Sequence, residues 1–169
     1  MLQTLRRLFT DLVDRQRATS FADDDPRLAV AALMCHVVAA DGVVRPAERQ
    51  RMMEELARRY GLGAEDTRVL AEAARLAESE TATLQRFTAG LQRGLSLAER
   101  REIVASLWKL VITDGQALEF EEAVVGRIAD LLGIAAYDRI ALRKTAEADC
   151  EEEAMRTAEG LREGAKSTP

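Results

Sequence analysis

The sequence predicts an all-α fold: a single-domain bundle of about seven to eight helices, built around two repeats of a helix, an Asp-Gly turn and a second helix. Ala, Leu, Glu and Arg, most of which favour helices, dominate the composition. Apolar residues recur at intervals of three and four along most of the chain, which is the spacing of one helical face. Proline, which interrupts helices, occurs only at Pro26, Pro46 and Pro169.

The first two predicted helices differ in how much of their surface is apolar. The first has an apolar stripe on one side and arginines away from it; the stripe comprises Leu2, Leu5, Leu8, Phe9, Leu12 and Val13. The second begins at Pro26, is capped by the preceding aspartates and runs to about Ala40. Because this second helix is apolar nearly all round, we expect it to be the central, buried one.

The remaining helices are separated by glycines and one proline. Gly42 ends the second helix, Pro46 opens the third, and Gly61 stops it. Further helices are expected at about 64–78, 81–93, 97–113, 119–132 and 136–158. The last helix outlasts its apolar stripe near Leu142, so we divide the chain into a helical domain, 1–145, and an acidic C-terminal helix extension and tail, 146–169, whose end from Gly160 we expect to fray.

Composition excludes several classes of protein. The chain has 169 residues, 47% of them hydrophobic and 31% charged, which favours one globular domain over disorder. With a net charge of −5 and only 4% aromatic residues, it lacks the basic, aromatic surface of a nucleic-acid-binding protein. Cys35 and Cys150 lie far apart, and no continuous apolar segment of a signal peptide opens the chain, so we expect a reducing, cytoplasmic setting.

The sequence also lacks the common enzyme signatures. It has one histidine, His36, and no G-x-S-x-G, P-loop or G-x-G-x-x-G motif. No pair of thiols or redox-cofactor motif supports an oxyanion reductase. We therefore predict a protein that is not an enzyme.

The strongest internal signal is a repeat. The stretch 32–42 with Glu48 recurs 73 residues later as 105–115 with Glu121. Each copy is a helix, an Asp-Gly turn and a helix, and each places a glutamate seven residues after the aspartate. Two such units that pack about a pseudo-twofold axis would bring their turns together.

The repeat places four acids at the edges of apolar stripes: Asp41, Glu48, Asp114 and Glu121. Carboxylates about 4 Å apart near a protein surface repel by about 4 kcal/mol, so four acids in one place need a proton, a basic side chain or a bound cation. Oxygen ligands favour Ca²⁺, Mg²⁺ or Mn²⁺.

The acids have three other interpretations. An EF-hand loop fails, because placing Gly42 at loop position 6 puts Val37 and Ala39 at ligand positions 1 and 3. Helix capping stands as an alternative, since a first-turn glutamate such as Glu48 caps a helix and offsets its dipole. Internal arginine or lysine partners are a further alternative.

Several short stretches occur in the order and spacing of a known family. They are Asp23 to Leu33, Ala40-Asp41-Gly42 with Glu48, Arg86-Phe87-Thr88, Trp108, Thr113-Asp114-Gly115 with Glu121, Ala129 to Gly133, and Asp138 to Leu142. In these stretches the chain resembles the TerB-like tellurite-resistance family over roughly residues 2–145. One departure is Thr113, which stands where the motif usually has a small apolar residue.

The resemblance implies an all-helical, non-enzymatic domain linked to tellurite and general chemical stress, with a proposed metal site that corresponds to Asp41, Glu48, Asp114 and Glu121. It also implies a protein partner in membrane-associated stress complexes. Our leading interpretation is a stress-response binding module with a divalent-cation site shared by the two turns. The alternatives are a protein–protein interaction domain with purely structural acids, or a peripheral membrane adaptor that uses the first helix for weak surface association.

Four further residues invite a functional interpretation and are predicted to be structural. His36 lacks nearby nitrogen or sulfur ligands, so we expect a partly buried or surface histidine. Cys35 has no resolving thiol and is predicted to be a small core residue. Trp108 and Phe87 are predicted to anchor the core.

Overall fold

The computed structural model describes residues 21–22, 24–78, 83–112 and 119–166. Within these ranges the chain forms seven helices and no strands, which confirms the predicted all-α bundle. The helices are α1 (Pro26–Val38), α2 (Pro46–Tyr60), α3 (Ala64–Glu78), α4 (Thr83–Gly94), α5 (Leu97–Val111), α6 (Glu119–Leu131) and α7 (Ala136–Lys166). The helix predicted over the first seventeen residues lies outside the described part of the chain.

Helix α1 lies at the centre of the bundle, as its apolar sequence predicts. Nine of its thirteen residues are buried, and it packs against α2, α3, α4, α5 and α6. Its start is set by Asp25, whose carboxylate accepts a hydrogen bond of 2.8 Å from the backbone N–H of Arg27. Pro26 then occupies the first helical position, where its missing N–H costs nothing.

The two repeats become two helical hairpins. The first is α1 with α2 and the second is α5 with α6, and α2 also packs against α5. Arg51 of α2 fixes this contact, because its guanidinium donates a hydrogen bond of 2.6 Å to the carbonyl of Ile112, the residue that caps α5. This bond holds the end of α5 against the first repeat.

Helix α7 is the longest element, with 31 residues. Its early turns pack on α5, and Ala146 is part of the core. From residue 151 to residue 160 every residue is exposed, and the helix continues to Lys166. The helix therefore ends later than the expected residue 158, since Gly160 alone costs only about 1 kcal/mol in a helix and no proline follows before Pro169.

Candidate functional site

The candidate site begins at the Asp-Gly turn between α1 and α2. Asp41 accepts a hydrogen bond of 2.9 Å from the backbone N–H of Val43 on one carboxylate oxygen. Its other oxygen accepts a bond of 2.6 Å from Nη2 of Arg45. Gly42 between them has a φ of +78°, a conformation that L side chains rarely adopt. The turn thus aims both Asp41 and Arg45 at the start of α2.

Glu48 meets the same arginine from the first turn of α2. Its side chain is buried, at 7% exposure, and accepts a bond of 2.8 Å from Nη1 of Arg45. Its second oxygen accepts a bond of 3.1 Å from the backbone N–H of Arg45. This is the capping contact that the alternative interpretation expects of Glu48.

Glu121 brings the second repeat to this point. It lies in the first turn of α6, is 2% exposed, and places its Oε1 atom 3.6 Å from Nη1 of Arg45. Glu48 and Glu121 hold matching positions in the two repeats, so the structure brings these two predicted residues together. The fourth predicted acid, Asp114, lies outside the described residues.

We call these four residues, Asp41, Arg45, Glu48 and Glu121, the Arg45 cluster. Three carboxylates surround one guanidinium, and two of those carboxylates are buried. The hydrogen bonds from Val43 and Arg45 hold the pKa of Asp41 below its ordinary value, so it is ionised at neutral pH. A further positive charge would lower the free energy of such a group.

Sequence reasoning missed Arg45, although it allowed for an arginine or lysine partner. The signal was present: Arg45 stands four residues after Asp41 and three before Glu48, within the reach of neighbouring side chains on a helical turn. The corresponding position of the second repeat is Leu118, so a comparison of the two repeats does not single out the arginine.

The donor chemistry of the cluster fits a hard cation, but its present geometry serves the arginine. Asp41, Glu48 and Glu121 offer only oxygen ligands, which Ca²⁺, Mg²⁺ and Mn²⁺ prefer. In the described part of the chain, no three His, Cys, Asp or Glu side chains are grouped so that they could hold a metal ion. A cation can bind between these carboxylates only if the side chain of Arg45 moves away from them.

Four residues that were predicted to be structural have structural surroundings. Trp108 and Phe87 are buried in the core, as expected. His36 is half-buried, and its Nδ1 atom lies 3.0 Å from a carboxylate oxygen of Glu78. Burial raises the pKa of the Cys35 thiol to about 12, so this thiol stays protonated and unreactive.

The fold and the Arg45 cluster together define a class: an all-α bundle of two helical hairpins, from which Asp41, Glu48 and Glu121 meet at Arg45. A family model described as tellurite resistance protein TerB matches residues 27–144, which is most of the chain. The chain therefore belongs to the TerB family, and the resemblance noted in the sequence is confirmed.

A solved structure supports the fold. The chain is similar to a protein of unknown function from Porphyromonas gingivalis W83, with 21% identity and a TM-score of 0.58. The alignment covers 75% of this chain and 90% of that protein. No curated protein shows significant sequence similarity to the chain. None of the helices in the described ranges is long and apolar enough to cross a membrane.

Proposed function

We propose that this TerB-family chain is a non-enzymatic binding module of the stress response, of the tellurite-resistance type, that holds a divalent cation between its two repeats. Its ligands are Asp41, Glu48 and Glu121, completed by Asp114, which the sequence repeat assigns to the same site. The observation that carries the proposal is the meeting of two buried carboxylates from different repeats, Glu48 and Glu121, at Arg45.

The negative charge of the carboxylates is the physical reason to expect a bound cation. Arg45 supplies one positive charge to three carboxylates, and Asp114 adds a fourth acid from the second turn. A divalent cation that displaces the guanidinium exchanges one positive charge for two. The side chain of Arg45 is 40% exposed, so part of it already contacts solvent.

Thermal unfolding with and without added ions tests the proposal. A cation at 100 times its dissociation constant stabilises the fold by about 2.7 kcal/mol. For a chain of this size that raises the melting temperature by about 5–10 °C. We expect this rise with one of Ca²⁺, Mg²⁺ or Mn²⁺, and its loss in the double variant Asp41→Asn/Asp114→Asn.

The matched control is Glu65→Gln, which removes one carboxylate from the exposed first turn of α3. This variant should keep the full response to the ion. Identical melting curves of the wild type with and without each of the three ions would overturn the cation site.

A structural role for the acids is the second candidate, and a specific contact favours it. The bonds from Glu48 to the backbone and side chain of Arg45 already cap α2 and neutralise part of the cluster. On this interpretation the chain is a protein–protein interaction domain whose acids only hold the turns. Thermal unfolding with added ions distinguishes the cation site from the structural role, because purely structural acids give no ion-dependent shift of the melting temperature.

The proposal includes a protein partner in a stress-response complex, in keeping with membership of the family. Affinity capture from cells grown with and without tellurite tests this part. A partner recovered with the wild type and lost with Asp41→Asn/Asp114→Asn would connect the cluster to the interaction. Equal recovery of the partner with both chains would show that the interaction does not depend on the cluster.

A further inference from the structure

A cavity of about 430 Å³ is lined by residues of α1, α2 and α3 and of the turn that joins α1 to α2. Its volume is within the range of about 300–1,000 Å³ that is usual for ligand pockets. It is about three times the volume of an apolar cavity that holds one benzene molecule. We call it the methionine cavity, because Met52 and Met53 both line it.

The interior of the methionine cavity is mainly apolar. Seven of its twelve lining residues are apolar, and two of these, Val38 and Met52, are buried at 3% and 6% exposure. The Sγ atom of Cys35 lies 3.8 Å from the Sδ atom of Met52. Methionine side chains are flexible and polarisable, so they adapt to ligands of different shape. The cavity therefore offers a surface on which an apolar molecule can be buried.

Apolar surface continues outside the cavity, at the turn between α1 and α2. Val43 and Val44 are 57% and 52% exposed, and Val44 lines the cavity. An exposed apolar patch beside a concave apolar surface is typical of a ligand-binding site. The two valines thus extend the surface available to a ligand.

Five charged residues also line the methionine cavity, and four of them have partners. The pairs are Arg75 with Glu72, Arg68 with Glu65, and Glu78 with His36. The fifth, Arg49, is exposed and forms no ion pair with any residue in the described ranges. An arginine in this state beside an apolar interior is able to bind the carboxylate of a ligand.

We propose that the methionine cavity binds an organic monocarboxylate whose apolar body has about a dozen carbon atoms, such as a medium-chain fatty acid. The apolar body lies against Val38, Met52 and Met53, and the guanidinium of Arg49 donates hydrogen bonds to the carboxylate. Burial of the apolar body drives binding, and Arg49 selects an acid over an amine. The site shares no residue with the Arg45 cluster, so it goes beyond the proposed cation site and is independent of it.

Methyl NMR of the full chain, labelled at its methionines, locates the ligand. The probe is dodecanoate, added with EDTA present so that no divalent cation is bound. We expect the methyl signals of Met52 and Met53 to shift in a saturable manner. Met155, which is 60% exposed on α7 and does not line the cavity, should not shift. Unshifted Met52 and Met53, or equal shifts of all three methionines, would overturn the proposal.

Two variants test the residues that form the site. Arg49→Gln should weaken dodecanoate binding about fivefold, as expected of an ion pair at an exposed arginine. Its matched control is Arg93→Gln, which removes an exposed arginine from α4 and should bind like the wild type. Equal affinities of these two variants would contradict the role of Arg49.

Ala71→Leu should abolish binding, because the larger side chain fills the cavity. Ala123→Leu is its control, since Ala123 is exposed on α6. If Ala71→Leu does not fold, the arginine variants still decide.

The charge of the ligand is tested with the same apolar chain and a cationic head. Dodecyltrimethylammonium should bind about tenfold more weakly than dodecanoate, because Arg49 repels it. Equal binding of the two molecules would show that the cavity recognises only the apolar chain, and it would overturn the assignment to a carboxylate.

Discussion

Glu48 and Glu121 lie 73 residues apart in the sequence and at matching positions of two repeats, yet both carboxylates meet the same guanidinium nitrogen. The contact distances differ, at 2.8 Å and 3.6 Å, because Arg45 belongs to the first repeat and lies three residues from Glu48. Among the described residues of the Arg45 cluster, one guanidinium thus serves carboxylates from both repeats.

Removing the arginine should destabilise the cluster. We expect Arg45→Gln to lower the free energy of unfolding in the absence of divalent ions, because Glu48 and Glu121 then keep their buried carboxylates without the guanidinium. Chemical denaturation measures it, with Arg49→Gln as a control that removes the same charge from an exposed position one turn later. If the cation site is present, added ion should restore more stability to Arg45→Gln than to the wild type.

The buried contact between Glu55 and Ser106 should carry a pH-dependent part of the stability. Burial raises the pKa of Glu55, but hydrogen bonds from Arg58 and Ser106 outweigh it and leave the pKa below the ordinary 4.5. Ionised Glu55 therefore stabilises the fold above pH 4.5, and this contribution is lost as the pH falls through the lowered pKa. Ser106→Ala should cost about 1–3 kcal/mol near pH 7 and progressively less below pH 4.5.

Denaturation at several pH values checks this prediction. Thr145→Ala is the control, because the hydroxyl of Thr145 is exposed and bonds only within its own helix, to Ala141. It should change stability by less than about 0.5 kcal/mol at every pH. A deficit for Ser106→Ala that stays constant from pH 7 to pH 3 would show that Glu55 is not the group involved.

Two glycines offer opposite effects for the same substitution. Gly133 has a φ of +70°, and an added Cβ would lie 3.1 Å from Nη1 of Arg100, which is held by the carbonyl of Leu132. Gly133→Ala should therefore cost about 1–3 kcal/mol. Gly126 lies inside α6 with open space around it, and Gly126→Ala should stabilise by about 0.5–1 kcal/mol. Thermal unfolding of both variants measures the difference, and equal effects would contradict it.

The two thiols should react at different rates. Burial raises the pKa of Cys35 to about 12, and it also raises the pKa of Cys150, which lines a cavity of about 920 Å³. We expect a thiol reagent at pH 8 to modify Cys150 first and Cys35 only on unfolding. Mass spectrometry of the labelled peptides checks the order, and the variant Cys150→Ser should lose the early reaction. Early labelling of Cys35 would contradict its burial.

The helices could be predicted from the sequence because their ends carry local signals. Asp25 with Pro26, Ser96 with Glu99, and Gly61 each fix a boundary through contacts within a few residues. The central position of α1 followed from its uniform apolarity, since a helix without a polar face has to be covered on all sides.

The candidate site could be predicted only in part, because its acids repeat and its arginine does not. Periodicity placed Glu48 and Glu121 toward the packed side, and the repeat suggested that they meet. The contact of Arg45 with Glu121, and the bond from Arg51 to the carbonyl of Ile112, join segments more than sixty residues apart. Such contacts depend on how α2 and α5 pack, which no local pattern encodes.

Helix α7 is continuous from the buried Ala146 to the exposed turns beyond residue 150. It has no proline between these points, and the Sγ atom of Cys150 lies 3.9 Å from the carbonyl of Ile112, where the second turn begins. A displacement of the exposed turns of α7 would therefore pass along one continuous helix to the residue that caps α5, Ile112, and so to the contact between α5 and Arg51 of α2.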